Sequence, residues 1–286
     1  MEHIRDTIKL LRFPFSIFLL PISLFSLFYI HPEINLQLFL VLIIWHILVF
    51  PSSNGYNSYN DQDDGPIGGL AAPPKPTKLL LYVSNFLDGV AILLSLLINN
   101  YFAIFVAGYI IFSRLYSNRK IRLKKFPVIG FLVVFFFQGA WIFCANIFAL
   151  SSITLFSNQS VVFSAIASSF FIGTIYPITQ IYQHESDKKD GVKTLSILVG
   201  MKGTFIFSAL MFSMATLFVY FSFHSDTAIN NFWLFNIVML PSTLFFIYWA
   251  VKSFKNRTHI NFKNSMTMLV LSSMLNNLYF LILLIK

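Results

Sequence analysis

Apolar runs recur along this chain at a length that suits a membrane better than water. A helix needs roughly 20 mostly apolar residues to cross a bilayer core. Such runs cover 14–30, 36–53, 79–99, 101–117, 127–149, 161–182, 203–223, 231–251 and 266–285. They show no period-two alternation, and backbone facing lipid has to satisfy its own hydrogen bonds, so they predict helices and not the strands of a barrel. The expectation is an all-α integral membrane protein with nine transmembrane helices, forming one polytopic domain over 1–286. Composition agrees, since 11% of the residues are charged where a soluble domain has about a quarter. The charged start "MEHIRDTIKLLRFP" resembles that of a signal peptide, but no small-residue cleavage site follows, so the first run is expected to stay as a helix. The single cysteine, Cys144, lies inside the fifth run, which excludes a disulfide framework and a cysteine-based metal site.

Charge sets the orientation. With nine spans, the N-terminus and the loops 54–78, 118–126, 183–202 and 252–265 share one side. Of the 20 Lys and Arg, only Lys286 falls outside that side; the basic stretch near 118–126 alone brings Arg114, Arg119, Lys120, Arg122, Lys124 and Lys125. Under the positive-inside rule this face is cytoplasmic, in an inner membrane, with the N-terminus on it. The net charge of +9 therefore calls for no nucleic-acid partner, and anionic lipid heads are its natural neighbours.

The 11 acids are scarce, and more than half lie in two groups on that same face. Asp61, Asp63 and Asp64 follow the second run, in "NSYNDQDDGPIGG"; Glu185, Asp187 and Asp190 follow the sixth, in "QHESDKKDGVKTLSILVGMK". On a helix, positions 0, +4 and +7 form one stripe. Asn57, Asp61 and Asp64 have that spacing, as do Gln183, Asp187 and Asp190, each set followed by a glycine, Gly65 or Gly191. Helix-capping, solvated acids are the plain reading of either group alone. Two matched groups on one face suit a hard divalent cation carrying a polyphosphate, because Mg²⁺ is usually held by one or two carboxylates plus substrate phosphates. The nearby cations would then neutralise charge developing on a leaving diphosphate.

Three stretches resemble the UbiA superfamily of intramembrane prenyltransferases. "NSYNDQDD" is similar to its Asn- and Asp-rich motif after helix two, "YSNRKIRLKKFP" to its pattern after helix four, and "YQHESDKKDGVKTLSILVG" to its second Asp motif with the Gly-x-Lys/Arg-Thr-Leu tail. The resemblance covers nearly the whole chain. It implies a helical bundle around a lipid-accessible cavity with cytoplasmic cap loops, and Mg²⁺-dependent transfer of a polyisoprenyl group from its diphosphate to an aromatic or other lipophilic acceptor. Carried over, it makes Asp61, Asp187 and Asn57 catalytic, and Asp61, Asp63, Asp64, Asp187, Glu185 and Gln183 candidates for metal. Arg122, Lys124, Lys193, Asn54 and Tyr116 would bind substrate. The chain departs from the family where an aspartate is usual, at Gly65 and Gln183, which bears on the number of metal ions.

An allylic cation needs a dry site with electron-rich walls, and the 35 Phe and 12 Tyr supply aromatic faces in general without assigning any one of them. Asp88, near the middle of the third run, is costly in a membrane and is expected with Asn85 to line the substrate chamber. Gln138, Asn146 and Gln180 are weaker candidates, and His184 reads as an interfacial side chain. Two alternatives remain: a membrane terpene cyclase of the same superfamily, and a non-catalytic transporter or scaffold.

Overall fold

The computed structural model describes residues 2–225 and 228–286. Apart from α1 and α10, the helices follow the apolar runs: α1 (Glu2–Leu11), α2 (Leu20–Ile30), α3 (Leu36–Ile43), α4 (Phe50–Asp61), α5 (Lys78–Ile98), α6 (Asn100–Ser117), α7 (Pro127–Phe137) and α8 (Ala140–Leu150) form the first half. The second half holds α9 (Gln159–Gln180), α10 (His184–Lys189), α11 (Leu195–Ser222), α12 (Ile229–Lys255) and α13 (Phe262–Ile285). There is no β-strand among the described residues, only an isolated bridge between Ile67 and Leu70.

Among the described residues, seven helices are long and apolar enough to cross a membrane: Leu36–Asp61, Lys78–Ile98, Pro127–Leu150, Gln159–Gln180, Leu195–Ser222, Ile229–Lys255 and Phe262–Ile285. An eighth crossing results if His3–Phe18 and Leu20–Ile30, bent by 45°, act as one span. The expected count of nine is thus not met by length and apolarity, for two local reasons. The first run, 14–30, opens in a tight helical turn over Phe13–Phe18, just after Arg12 adopts a left-handed backbone (φ 51°), and breaks at Leu19 before α2 starts afresh with Pro21 in its first turn. The expected fourth span does fold as α6, but its 18 residues include Arg114 and start with Asn100, which dilutes its apolarity.

Two spans are continuous only through a local irregularity. Between α3 and α4 the chain takes one wide turn, Ile44–Val49, in which the Phe50 amide reaches back to the Trp45 carbonyl. Pro51 follows immediately; it has no N–H to give, and its ring would collide with the carbonyl four residues back in an ordinary α-turn. Between α7 and α8 the break falls at Gly139, where a β-carbon would sit 2.3 Å from the Ser169 α-carbon of α9. Only glycine allows that close approach.

The core is a layered aromatic and aliphatic cluster formed largely by α2, the wide turn, α6, α8, α9, α11, α12 and α13, including Phe25, Trp45, Phe143, Phe235 and Phe280. A buried polar pair is built into it. Trp45 donates its indole N–H to Asn146 Oδ1 (3.0 Å), and Asn146 Nδ2 donates to Ser26 (3.0 Å). Asn146 is therefore a fully buried packing residue, a correction to its expected place at a chamber wall.

Candidate active site

A cavity of about 270 Å³ opens among α4, α6, α7, α9, α13 and the segment after α1. Polar residues gather at its loop end, and apolar residues dominate its helix-lined end, with Gln138, Ser272, Ser273 and Asn276 among them. Asn54, Asn57, Asp61, Asp63, Lys124, Gln183 and Asp187 line the mouth, and Phe50, Val134, Phe171, Ile172 and Leu269 line the depth. Aromatic hydroxyls stand in between: Tyr116 and Tyr176, which hydrogen-bond to each other, and Tyr109.

Each acid has its own local origin. α4 ends at Asp61 because Gln62 turns left-handed (φ 56°), its amide closing on the Ser58 carbonyl (3.1 Å). The 0, +4, +7 stripe therefore stops after its second member. Asp63 lines the cavity, while Asp64 lies on the exposed loop in an ion pair with Lys75. The second set is also shorter than one helix: α10 runs His184–Lys189, with Gln183 and Asp190 flanking it. Gln183 lines the cavity and donates to the Pro66 carbonyl (2.9 Å), so it ties the two acidic loops together. Asp187 lines the cavity, but Glu185 is exposed and does not.

The basic loop closes on these acids. Lys124 pairs with Asp61, and Arg122 contacts both Asp61 (3.4 Å) and Asp190. Arg119 reaches Asp190 (3.4 Å) and the Asp61 carbonyl (3.1 Å). Asp61 and Asp190 are thereby neutralised by protein cations. Asp187 is not: its Oδ2 is buried with no hydrogen-bond partner. Burial, reinforced by repulsion from Asp63 and Asp61, pushes the Asp187 carboxyl up to about 7, against the pull of Lys124. Asp63 is pushed up to about 6, first by burial and then by Asp61.

The remaining expected residues divide clearly. Asn57 donates to Ser117 (3.0 Å) at the cavity wall, and Asn54, Tyr116, Gln138 and Gln180 also line it. Lys193 is exposed and lies outside the lining, and Arg122 stands behind it. Asp88 and Asn85 are corrections. Asp88 faces the α5–α6 seam, where Arg114 and Ser52 hold its carboxylate, and Asn85 is on an exposed face of α5. Arg114 also donates to Ser52 (2.8 Å) and lies 4.0 Å from the Tyr56 ring centre. His184, expected at an interface, is buried and bonded to Ser196 (2.7 Å).

One lining residue carries more than its sequence suggests. Arg12 is 8% exposed and donates to the Gly68 carbonyl (3.0 Å) and the Asn54 carbonyl (3.2 Å). It fastens the first acidic loop across the cavity mouth. Its position before the Phe-Pro of "LRFP" is the only local signal, and a helix-ending arginine reads there as one more topological charge.

A profile of the UbiA prenyltransferase family matches residues 18–278. The chain belongs to that family. No curated protein matches the sequence. Among solved structures, this UbiA family member resembles a digeranylgeranylglyceryl phosphate synthase (20% identity, TM-score 0.63, covering 100% of this chain and 98% of that one). It also resembles a UbiA homologue from Archaeoglobus fulgidus bound to GPP and Mg²⁺ (18%, 0.67, covering 98% and 100%). A third likeness is the apo UbiA homologue from Aeropyrum pernix K1 (15%, 0.68, covering 93% and 97%). At such identities the likeness establishes the fold. The family match sets the chain in the prenyltransferase class, and its seven long apolar helices are those of a multi-pass membrane protein.

Proposed function

We propose that this protein transfers a polyisoprenyl group from its diphosphate to a lipophilic acceptor, with the diphosphate held at the cavity mouth in the presence of Mg²⁺. The observation that carries the reading is the convergence of Asp61, Asp63, Asp187 and Lys124 on one opening that leads into an apolar, aromatic-walled chamber. A solved relative with the same fold binds GPP and Mg²⁺, which supports the same ligand class here.

The residues present suit magnesium. Among the described residues no three His, Cys, Asp or Glu side chains form a self-sufficient metal cage. Mg²⁺ does not require one, since it takes a carboxylate or two and completes its shell with water and phosphate oxygens. The unpartnered Asp187 Oδ2 is such a hard, anionic donor, with Asp63 and Asp61 beside it. Bound there, Mg²⁺ would supply the positive charge that lets a diphosphate approach three carboxylates.

The chain's own groups account for the rest. Lys124 lies at the mouth as a point charge for diphosphate oxygens, and Arg122 behind it is anchored by Asp190. Asn57 and Gln183 offer amide N–H groups at the same rim. When the allylic C–O bond breaks, its electron pair leaves with the diphosphate, and the carbon becomes cationic. Aromatic faces stabilise such a cation by about 0.5–2 kcal/mol each. Tyr116, Tyr176, Tyr109 and Phe50 line the wall where the carbon would lie, and the apolar depth excludes the water that would otherwise capture it. The acceptor then donates an electron pair to that carbon and releases a proton.

Orientation belongs to the same proposal: the basic face carrying the cavity mouth is cytoplasmic. The test is transfer of radiolabelled prenyl diphosphate into membrane lipids by membranes holding the wild-type protein, Asp61→Asn or Asp187→Asn. Mg²⁺-dependent labelling by the wild type, lost in both variants, is expected. Equal labelling by all three overturns the reading, as does a cyclic hydrocarbon formed when the donor is the sole substrate.

A further inference from the structure

A second concavity, of about 410 Å³, opens on the other side of α10 and shares no lining residue with the Asp-lined cavity. Three separate segments build it: α10, the start of α11, and the turn joining α12 to α13. Each contributes one cation, Lys188, Lys202 and Arg257 respectively, and among the described residues no acid lines it. Among the same residues none of the three cations is in an ion pair. Like charges gathered from three segments repel one another unless an anion joins them.

Two further features give this concavity the form of an anion cradle. The backbone leaves helical geometry at Gly200 (φ 73°, ψ 174°) and re-enters it at Met201, so the first turn of a long helix begins at the pocket wall. Nothing lies within 4 Å of where a Gly200 β-carbon would be, so the glycine serves the backbone conformation and not a close contact. First-turn amides lack intrahelical acceptors and favour anions. Independently, Ser253 lines the pocket, is 3% exposed, and its Oγ has no hydrogen-bond partner. A buried hydroxyl left unpaired is costly, and a ligand oxygen would satisfy it. His184 is not a fourth cation; burial and Lys188 lower its pKa, and its Nε2 is engaged with Ser196.

We propose that this pocket is a second anion site, which binds a phosphate group through Lys188, Lys202, Arg257 and the Ser253 hydroxyl. Two lysines and an arginine fork match the tetrahedral oxygens of phosphate. That phosphate comes either from the head of an anionic lipid, for which exposed Leu198, Val199 and Phe254 offer an apolar rim, or from free phosphate. The site is independent of prenyl transfer.

The test is ligand-induced thermal stabilisation of the full-length protein in neutral detergent. It is titrated separately with inorganic phosphate and with short-chain phosphatidylglycerol, using phosphatidylcholine as zwitterionic control. Wild type is compared with Lys188→Gln/Lys202→Gln/Arg257→Gln and with Lys252→Gln/Lys255→Gln/Lys263→Gln, which removes the same charge outside the pocket. Lys124→Gln controls for anion binding in the Asp-lined cavity. A saturable shift is expected for wild type, for Lys124→Gln and for the outside triple, with affinity roughly tenfold or more weaker in the pocket triple. Ser253→Ala, which leaves every charge in place, is expected to weaken it a few-fold. A shift with phosphatidylglycerol alone identifies a lipid head, and a shift with inorganic phosphate identifies free phosphate. No shift with either, or equal affinity in the wild type and the pocket triple, overturns the proposal.

Discussion

Two acidic groups of this protein meet their cations in opposite ways. At the α5–α6 seam, Asp88 is held by Arg114 and Ser52, and Arg114 in turn lies on the Tyr56 ring. Acid and base there answer each other, and the pair faces helices, not the cavity. At the cavity mouth Lys124, Arg122 and Arg119 neutralise Asp61 and Asp190, but Asp187 keeps a buried oxygen with no partner. The first arrangement is closed and holds the fold; the second is short of positive charge at one point. That shortage is what distinguishes a site awaiting a cation from a pair that merely fastens two helices.

The largest expected effect lies at the open end. Asp187→Asn is expected to lower prenyl transfer by on the order of 1000-fold while the protein still purifies as a folded species, measured by radiolabel incorporation at saturating Mg²⁺. Retained activity would place Asp187 with the structural acids. At the closed end, Arg114→Leu leaves the Asp88 carboxylate without its cation and is expected to cost about 3 kcal/mol of stability, read as a lower thermal unfolding midpoint. Replacing both, Asp88→Leu with Arg114→Leu, is expected to recover most of that loss. A double variant as unstable as the single one would show that the pair does more than balance charge.

Smaller effects sharpen the contrast. Lys124→Gln is expected to raise the KM for the prenyl diphosphate roughly tenfold with a lesser change in kcat, since it removes one phosphate contact. The metal-free protein tests the unpaired acid through pH. The Asp187 carboxyl sits at about 7 in the fold against an ordinary 3.8, so between those values the folded state keeps a proton that the unfolded chain has released. This contribution to stability is complete below the ordinary carboxylate value and is lost as pH rises through about 7. Without Mg²⁺, raising the pH from roughly 5 to roughly 7 is therefore expected to lower the unfolding midpoint more in the wild type than in Asp187→Asn. Smallest of all, Asp64→Asn removes an exposed partner of Lys75 and is expected to leave transfer within about twofold of wild type, because exposed pairs contribute little.

The helical class is legible in the sequence because the demand of the bilayer is written as run length, and no tertiary contact is needed to read it. The acids are legible as groups for a similar reason: Asp61 and Asp187 both end up at the cavity, since each follows a long apolar run on the same face. The stripe arithmetic that adds Asp64 assumes one straight helix, and the left-handed residue Gln62, its amide closing on the Ser58 carbonyl, ends that helix first. Asp88 reads as a chamber residue only because its partner, Arg114, lies on the next helix and groups by sequence with the basic loop. A pairing across 26 residues leaves no local trace. Arg12 escapes sequence reasoning for the same reason, its acceptors Asn54 and Gly68 being 42 and 56 residues away.

The wide turn at Ile44–Val49 fixes the rotational phase of the helix that follows it. A turn of this kind carries one residue more than an α-turn, and each residue advances a helix by about 100°. Everything downstream in α4, from Asn54 to Asp61, owes its heading to a single inserted position. Removing one residue from that turn would swing Asn57 and Asp61 off the cavity toward a neighbouring helix or lipid without altering either side chain, so homologues aligned by their acids alone can share the letters and present them to different surroundings.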